Sequence, residues 1–201
     1  MGKIIQFNIR IVHSSPSIWR SFQIMDDYRL DHFHQVLQIV MGWDNYHLHR
    51  FTIQGKHYEM NMPHIMNLYE EGENEVKYFL HDFNLQQNEE IAYLYDFGDS
   101  WEHLIEVEDI IEGELIVPIC LAGKNAGPRE DSGGIHHYQH LVKIIKNPSH
   151  PDYEEFKTWL PENFDATLFD ILSLNKELKR FGLFRQENPD FKSSPWQMVN
   201  T

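Results

Sequence analysis

Two runs of alternating side chains, Ile91-Tyr93-Tyr95-Phe97 and Trp101-His103-Ile105-Val107, flank the tripeptide Gly98-Asp99-Ser100. Residues two apart on a strand share a face, so each run reads as a half-buried strand and the short link between them as the turn of an antiparallel hairpin. Loop length then decides the rest. A two-residue loop would put Asp96 opposite Trp101 and send the two apolar rows to opposite sides of the sheet. A three-residue loop, with Gly98 relieving a bulge, pairs Phe97 with Trp101, Tyr95 with His103, Tyr93 with Ile105 and Ile91 with Val107, which makes one continuous apolar face. This second register sets Asp96 across from Glu102, with Asp99 close by in the turn. Like charges facing each other destabilise a sheet, so it calls for a compensating cation, a basic side chain from elsewhere or a donor-rich ligand. Solvation of both carboxylates at a hairpin end, with Asp99 serving the turn, is the competing account.

The rest of the chain supplies partners for such a hairpin. Ile5, Phe7, Ile9 and Ile11 alternate with Gln6, Asn8 and Arg10, and IWRSFQI follows the break at SSPS, so the chain opens on an antiparallel pair. Asp31 is placed to cap a helix carrying Phe33, Val36, Leu37, Val40 and Met41, which Gly42 should end. HLHRFTIQ reads as a strand and Gly55-Lys56 as a turn into HYEM, whereas YEEGENE around Gly72 reads as an exposed loop. Residues 118–134, PICLAGKNAGPREDSGG, read as a long irregular loop, and long loops inside compact domains are commonly functional. Three helical patterns close the chain: HHYQHLVKII, ended by Asn147-Pro148; a short one from Pro151 with Tyr153, Phe156 and Trp159; and one behind a Thr167/Asp170 capping box, with Leu168, Ile171, Leu172, Leu178 and Phe181 before Gly182. Strands first and helices last predict an α+β fold: antiparallel strands and hairpins packed with helices, and a helical C-terminal part. One domain over residues 1–185 is expected, followed by a polar, loosely ordered tail, 186–201, from which Phe191 and Trp196 are able to dock.

Composition excludes several classes. A chain of 201 residues buries roughly 70% of its unfolded surface, so no staple is needed, and the lone Cys120 fits a reducing, cytoplasmic setting. No apolar run approaches the ~20 residues of a membrane span, and the first residues lack a signal-peptide layout. With 17 basic against 31 acidic residues the net charge is -14, and the basic side chains are scattered, which disfavours non-specific nucleic-acid binding.

His47 and His49 stand two apart on a predicted strand and so share a face, which suits either a common metal ion or a semi-buried row with Phe51 and Ile53. His32 and His34 diverge on their helix. His136 and His140 have the four-residue spacing of a zinc pair, but His137 stands where a zinc protease needs its glutamate, so a solvated helix face is the better account. Glu130-Asp131 before Gly133-Gly134 puts carboxylates at a helix entrance, where the helix dipole favours them. The apolar setting of Cys120 keeps its thiol protonated. Phosphate-binding glycine loops, dinucleotide fingerprints, G-x-S-x-G elbows and paired-cysteine zinc motifs are all absent from the sequence.

Taken in order, PSIWRSFQI, MGWDNYHLHRF, YDFGDSWEHLI and CLAGKNAGPREDSGG followed by HHYQHL resemble the plasmid pRiA4b ORF-3-like family, members of which are described as mobile-element passenger proteins. The likeness runs from about Ile5 through FDILSLNKEL. It implies an α+β domain and a link to plasmids and transposons, and it assigns no reaction. The family's hairpin motif falls on Tyr95, Asp96, Phe97, Gly98, Asp99, Trp101 and His103. Its acidic loop falls on Cys120, Leu121, Gly123, Pro128, Glu130, Asp131 and Gly133, and its HLH-type element on His47, Leu48 and His49. Where the family has a glycine and a second proline, His137 and Arg129 stand here. The resolvase-like label of some passengers finds no nucleophilic serine with an arginine cluster in this chain.

These readings converge on two candidate sites. One is an aromatic, acid-edged pocket of Trp43, Tyr95, Asp96, Asp99, Trp101, Glu102 and His103, suited to a cationic or donor-bearing protein or peptide partner and belonging to a non-enzymatic binding or accessory module. The other is a divalent-metal site drawn from Asp96, Asp99, Glu130, Asp131, His47 and His49, which would belong to a metal-dependent hydrolase or nuclease.

Overall fold

The alternating strands assemble into one large sheet. In the computed structural model, which describes residues 2–60 and 72–192, the strands are β1 (Lys3–Ile11), β2 (Trp19–Met25), β3 (His49–Ile53), β4 (Lys56–Glu59), β5 (Glu73–Asn74), β6 (Glu90–Tyr95), β7 (Trp101–Glu112) and β8 (Ile119–Lys124). Their order across the sheet is β5-β4-β3-β6-β7-β1-β2-β8. All neighbours are antiparallel except β4 and β5. The helices are α1 (Leu30–Met41), α2 (Gly134–Ile145), α3 (Tyr153–Trp159) and α4 (Ile171–Glu187). The fold is α+β, as expected. No helix among the described residues is long and apolar enough to cross a membrane.

Alternation determines which face is covered. Ile5, Phe7, Ile9 and Ile11 of β1, Phe22 and Ile24 of β2, Phe51 and Ile53 of β3, and Ile91, Tyr93 and Tyr95 of β6 are all buried. Phe33 of α1 lies on this face with its ring 5.1 Å from Phe7 and 5.6 Å from Phe51. The opposite face carries polar side chains: Glu108 accepts hydrogen bonds from Gln6, Asn8 and Ser21. The outer edge of β8 is closed by α4, where Asn175 accepts from the Cys120 N–H at 2.7 Å and donates to its carbonyl at 2.9 Å. One side-chain amide thus stands in for a ninth strand, a common way of blunting a sheet edge.

Several elements differ from expectation, each for a local reason. The helix α1 begins at Leu30 with Arg29 as N-cap; Asp31 lies inside the first turn, fully buried, because Arg29 grips its carboxylate at 2.6 and 2.9 Å. Gly42 ends α1 as predicted, at φ 78°. The stretch 118–134 is not wholly irregular, since β8 pairs with β2 through a bulge. Asp170 alone caps α4, accepting from Leu172 and Ser173 N–H groups, while Thr167 bonds Asp165 instead; Leu168 and Leu172 are consequently exposed. Of the YEEGENE stretch, residues 69–71 lie outside the described part, and Glu75 is fully buried in a 3-10 turn rather than in an exposed loop. The helix α4 extends to Glu187, and the Phe191 carbonyl docks 2.7 Å from His32 Nε2; Trp196 lies outside the described residues.

Candidate functional site

The hairpin register corrects the central expectation. Tyr95 pairs with Trp101, Tyr93 with His103 and Ile91 with Ile105, so the connection is five residues, 96–100. Its length is still odd, and the aromatic row still shares one face. Glu102 stands opposite Leu94 and is exposed, so Asp96 and Glu102 do not face each other. The physical reason is that Asp96 leaves the strand: at φ 57° its own carboxylate Oδ1 accepts from Gly98 N–H (2.9 Å) and Asp99 N–H (3.3 Å), an Asx turn, and the Ser100 N–H closes onto the Asp96 carbonyl at 2.7 Å. The left-handed conformations fall on Asp96 and Ser100 and not on Gly98.

Three segments far apart in sequence meet at this turn. The Asp96 N–H donates to the Leu48 carbonyl at 2.8 Å, which ties the turn to the entrance of β3. Asp99 Oδ2 accepts from Gly133 N–H at 2.8 Å, which ties it to the acidic loop. That approach needs glycine: a Cβ on Gly134, at φ 77°, would lie 2.5 Å from the Asp99 carbonyl oxygen, and one on Gly127 would lie 1.8 Å from that of Met41. Glu130 completes the lock. It accepts from the Tyr95 hydroxyl and, through its second oxygen, from the Asp44 N–H at 3.0 Å, while the same tyrosine oxygen accepts from the N–H groups of Tyr46 (3.1 Å) and His47 (3.4 Å). Burial and the Glu130 carboxylate push the Tyr95 hydroxyl well above its ordinary range, so it stays a donor.

The expected aromatic pocket is filled. Trp43 stacks on Tyr95 at 4.7 Å and leans on Trp101 at 5.9 Å; these rings are at most 4% exposed, and the Trp43 indole donates to the Pro128 carbonyl. They are packed core that braces the loops rather than walls of a cleft. His103 lies beneath them, edge-on to Trp43, with burial lowering its pKa to about 4; it is a neutral core histidine.

The expected metal set divides. His47, Asp96 and Asp131 come together with one ligand atom from each within 4.8 Å of the others. His47 Nδ1 lies 3.7 Å from Asp96 Oδ2, and its Nε2 lies 3.2 Å from Asp131 Oδ1. Short as it is, the second contact is not aligned as a hydrogen bond, and His47 Nε2 is left a buried nitrogen without a partner. Asp131 is held at φ 59° with its side chain 74% exposed, so the trio opens to solvent. One imidazole and two carboxylates match a divalent transition ion or Mg²⁺ in donor type. Asp99 and Glu130 hold the loops and are already engaged.

His49 belongs to a different group altogether, since β3 starts at His49 and His47 precedes it in a bend. His49 Nε2 lies 2.7 Å from Glu75 Oε2, both side chains having no exposure, and its ring stacks on His34 at 3.5 Å. Gln38 donates to the Tyr93 hydroxyl at 3.0 Å, that hydroxyl faces His34 Nδ1 at 2.7 Å, and His34 Nε2 faces Asn45 Oδ1 at 2.7 Å. Each link needs the next as its acceptor, so His34 is the neutral tautomer with its proton on Nε2. Sequence reasoning missed this interior network, because Glu75 sits in an acidic run that looks solvated and nothing in the pattern marks it as buried.

A mostly antiparallel sheet with α1 on its apolar face and α4 along its β8 edge, its hairpin turn locked to two distant loops, defines the protein as an α+β fold built around that three-loop junction. The chain belongs to the plasmid pRiA4b ORF-3-like family, whose model matches residues 3–173. It is similar to the uncharacterized protein y4hQ of Sinorhizobium fredii (strain NBRC 101917 / NGR234), at 27% identity over 184 residues, covering 88% of this chain and 91% of that one. It is also similar to the crystal structure of a protein of unknown function, MM3350, from Methanosarcina mazei Go1, at 31% identity and a TM-score of 0.74, covering 89% of this chain and 98% of that one. Most of α4 lies beyond the segment that the family model matches.

Proposed function

We propose that the protein is a non-enzymatic binding or accessory module that holds one divalent cation through His47, Asp96 and Asp131 and offers the ion's open positions to a protein or peptide partner. The observation that carries this reading is the meeting of three distant loops at one imidazole and two carboxylates, with His47 Nδ1 facing Asp96 and its Nε2 facing Asp131 without a hydrogen bond. With His47 neutral the trio carries two negative charges, which a divalent ion would neutralise. The ion would also staple the acidic loop to the hairpin, so that binding contributes to stability by mass action. Tyr46, 54% exposed and bonded through its N–H to Tyr95, stands next to the trio in sequence as an aromatic contact for a partner.

A metal-dependent hydrolase or nuclease is the second reading, favoured by the solvent-facing Asp131, since an ion with open positions activates water. Against it, Asp99 and Glu130 are committed to Gly133, Tyr95 and Asp44, so neither of these two carboxylates is free to act as a base. The net charge of -14 also repels polyphosphate substrates.

Thermal melts of chelator-treated protein with Mg²⁺, Mn²⁺ or Zn²⁺ separate these cases. The proposal expects at least one ion to raise the midpoint of the wild type and not that of Asp131→Asn, a substitution that keeps the shape and tolerates the left-handed backbone. An unchanged melt with every ion would refute it, and ion-dependent phosphodiester cleavage would move the protein to the second reading.

A further inference from the structure

We propose a second binding site, sharing no residue with the His47 trio, for a small molecule with an apolar body and one carboxylate, in the cleft between the β1–β2 turn and α2. The cleft has a volume of about 190 Å³. Its walls are mostly carbon, from Ile18, Ile135, Val142 and Ala166.

What selects the ligand is the set of polar groups left over. Most polar residues around the cleft are already satisfied. Ser14 donates to the Ile11 carbonyl and accepts from the Ile18 N–H; Asn125 donates to Ser17, Gln139 to His13 and Thr167 to Asp165. Three remain. Lys143, in the last turn of α2, and Lys146, its C-cap residue, both line the cleft; among the described residues Lys143 makes no ion pair, while Lys146 lies close enough to the exposed Asp165 carboxylate to add to the lowering of its pKa by Thr167. The third is Tyr138, which is 3% exposed and whose hydroxyl has no hydrogen-bond partner. Burial raises that hydroxyl to about 12, so it remains a donor across the physiological range.

An apolar hollow with two ammonium groups and an orphaned donor matches a compact anion that also accepts hydrogen bonds. The local charge is the reverse of the whole molecule's, where acidic residues outnumber basic ones by 31 to 17. An amine is repelled here, and an uncharged body of the same size gains the walls without the lysines.

The test titrates ¹⁵N-labelled full-length protein with hexanoate, hexan-1-ol and hexylamine. Hexanoate should shift amides of residues 14–18 and of α2 in a saturable manner, hexan-1-ol should bind at least about tenfold more weakly, and hexylamine should shift none of these amides. In the double variant Lys143→Gln, Lys146→Gln, hexanoate should fall to the affinity of hexan-1-ol. Both lysines are exposed, so the variant keeps its fold, checked by an unchanged melt. Ala166→Leu, which fills the cleft, should abolish the shifts. The proposal is overturned if no probe shifts these amides, if hexylamine binds as well as hexanoate, or if the double variant retains wild-type affinity.

Discussion

The buried pair of Glu75 and His49 gives the sharpest stability prediction. Burial pushes Glu75 up to about 8 and His49 down to about 3, because both charged forms lose their hydration. The pair is therefore a neutral acid donating to a neutral imidazole, with the His49 proton on Nδ1, a nitrogen that has no partner. Between pH 6.5 and 8 the folded chain keeps the Glu75 proton that the unfolded chain has already released, so stability falls as pH rises. At 1.36 kcal/mol per pH unit the loss is about 2 kcal/mol over that window. Between pH 4.5 and 6.5 His49 offsets it, since the unfolded chain protonates an imidazole that the folded chain leaves neutral. His34 and His103 have lowered pKa values, so they add stability as pH rises towards 6.5. Glu75→Gln keeps the shape and the donor without the cost of holding a proton that the unfolded chain releases above its ordinary 4.5, so it should raise stability at pH 6 by up to about 2 kcal/mol (about 1.5 pH units at 1.36 kcal/mol each) and remove the decline above pH 6.5. Glu75→Ala leaves His49 Nε2 unpaired beside a cavity and should cost about 2–4 kcal/mol. Urea unfolding at pH 6 and pH 8 with a constant m-value reads both. A loss of more than about 3 kcal/mol in Glu75→Gln, with a flat wild-type profile above pH 6.5, would refute the neutral pair and replace it with a buried ion pair.

Three further outcomes follow from the packing. Tyr95→Phe removes the hydroxyl that joins Glu130 to the Tyr46 and His47 N–H groups and should cost about 1–3 kcal/mol by denaturant unfolding, with amide exchange increasing at Asp44, Tyr46 and His47. Asn175→Ala uncovers the β8 edge at Cys120 and should lower stability by about 1–2 kcal/mol and promote self-association, visible as a concentration-dependent sedimentation coefficient. Tyr138→Phe deletes a buried hydroxyl without a partner, so in the absence of ligand its melting midpoint should equal or exceed that of the wild type, a gain of up to about 1 kcal/mol.

The strands were legible because alternation is a local property: Ile5 to Ile11 and Ile91 to Tyr95 read directly as buried rows. The hairpin register was not, because the self-capping of Asp96 lengthens the turn by two residues and leaves the parity of the apolar row unchanged. Side-chain parity cannot distinguish the two pairings. The sequence offered His47, Asp96 and Asp131 only as donor types in three separate motifs, because their meeting depends on close backbone approaches at Gly134 and Gly127 that no local pattern encodes. Composition misled at Glu75 and Asp31, where acidic residues are buried because the imidazole of His49 meets Glu75 across the fold and the guanidinium of Arg29, two residues away, holds Asp31. The aromatic residues were identified as a group, but their number in one place reflects bracing of the junction rather than a cavity.

The central claim is that His47, Asp96 and Asp131 form one cation site. Anomalous diffraction from a crystal grown with Mn²⁺ tests it most directly. The account predicts a peak within bonding distance of the His47 imidazole and both carboxylates, absent in Asp131→Asn. A map without density there, in which His47 still lies between two carboxylates, would contradict it.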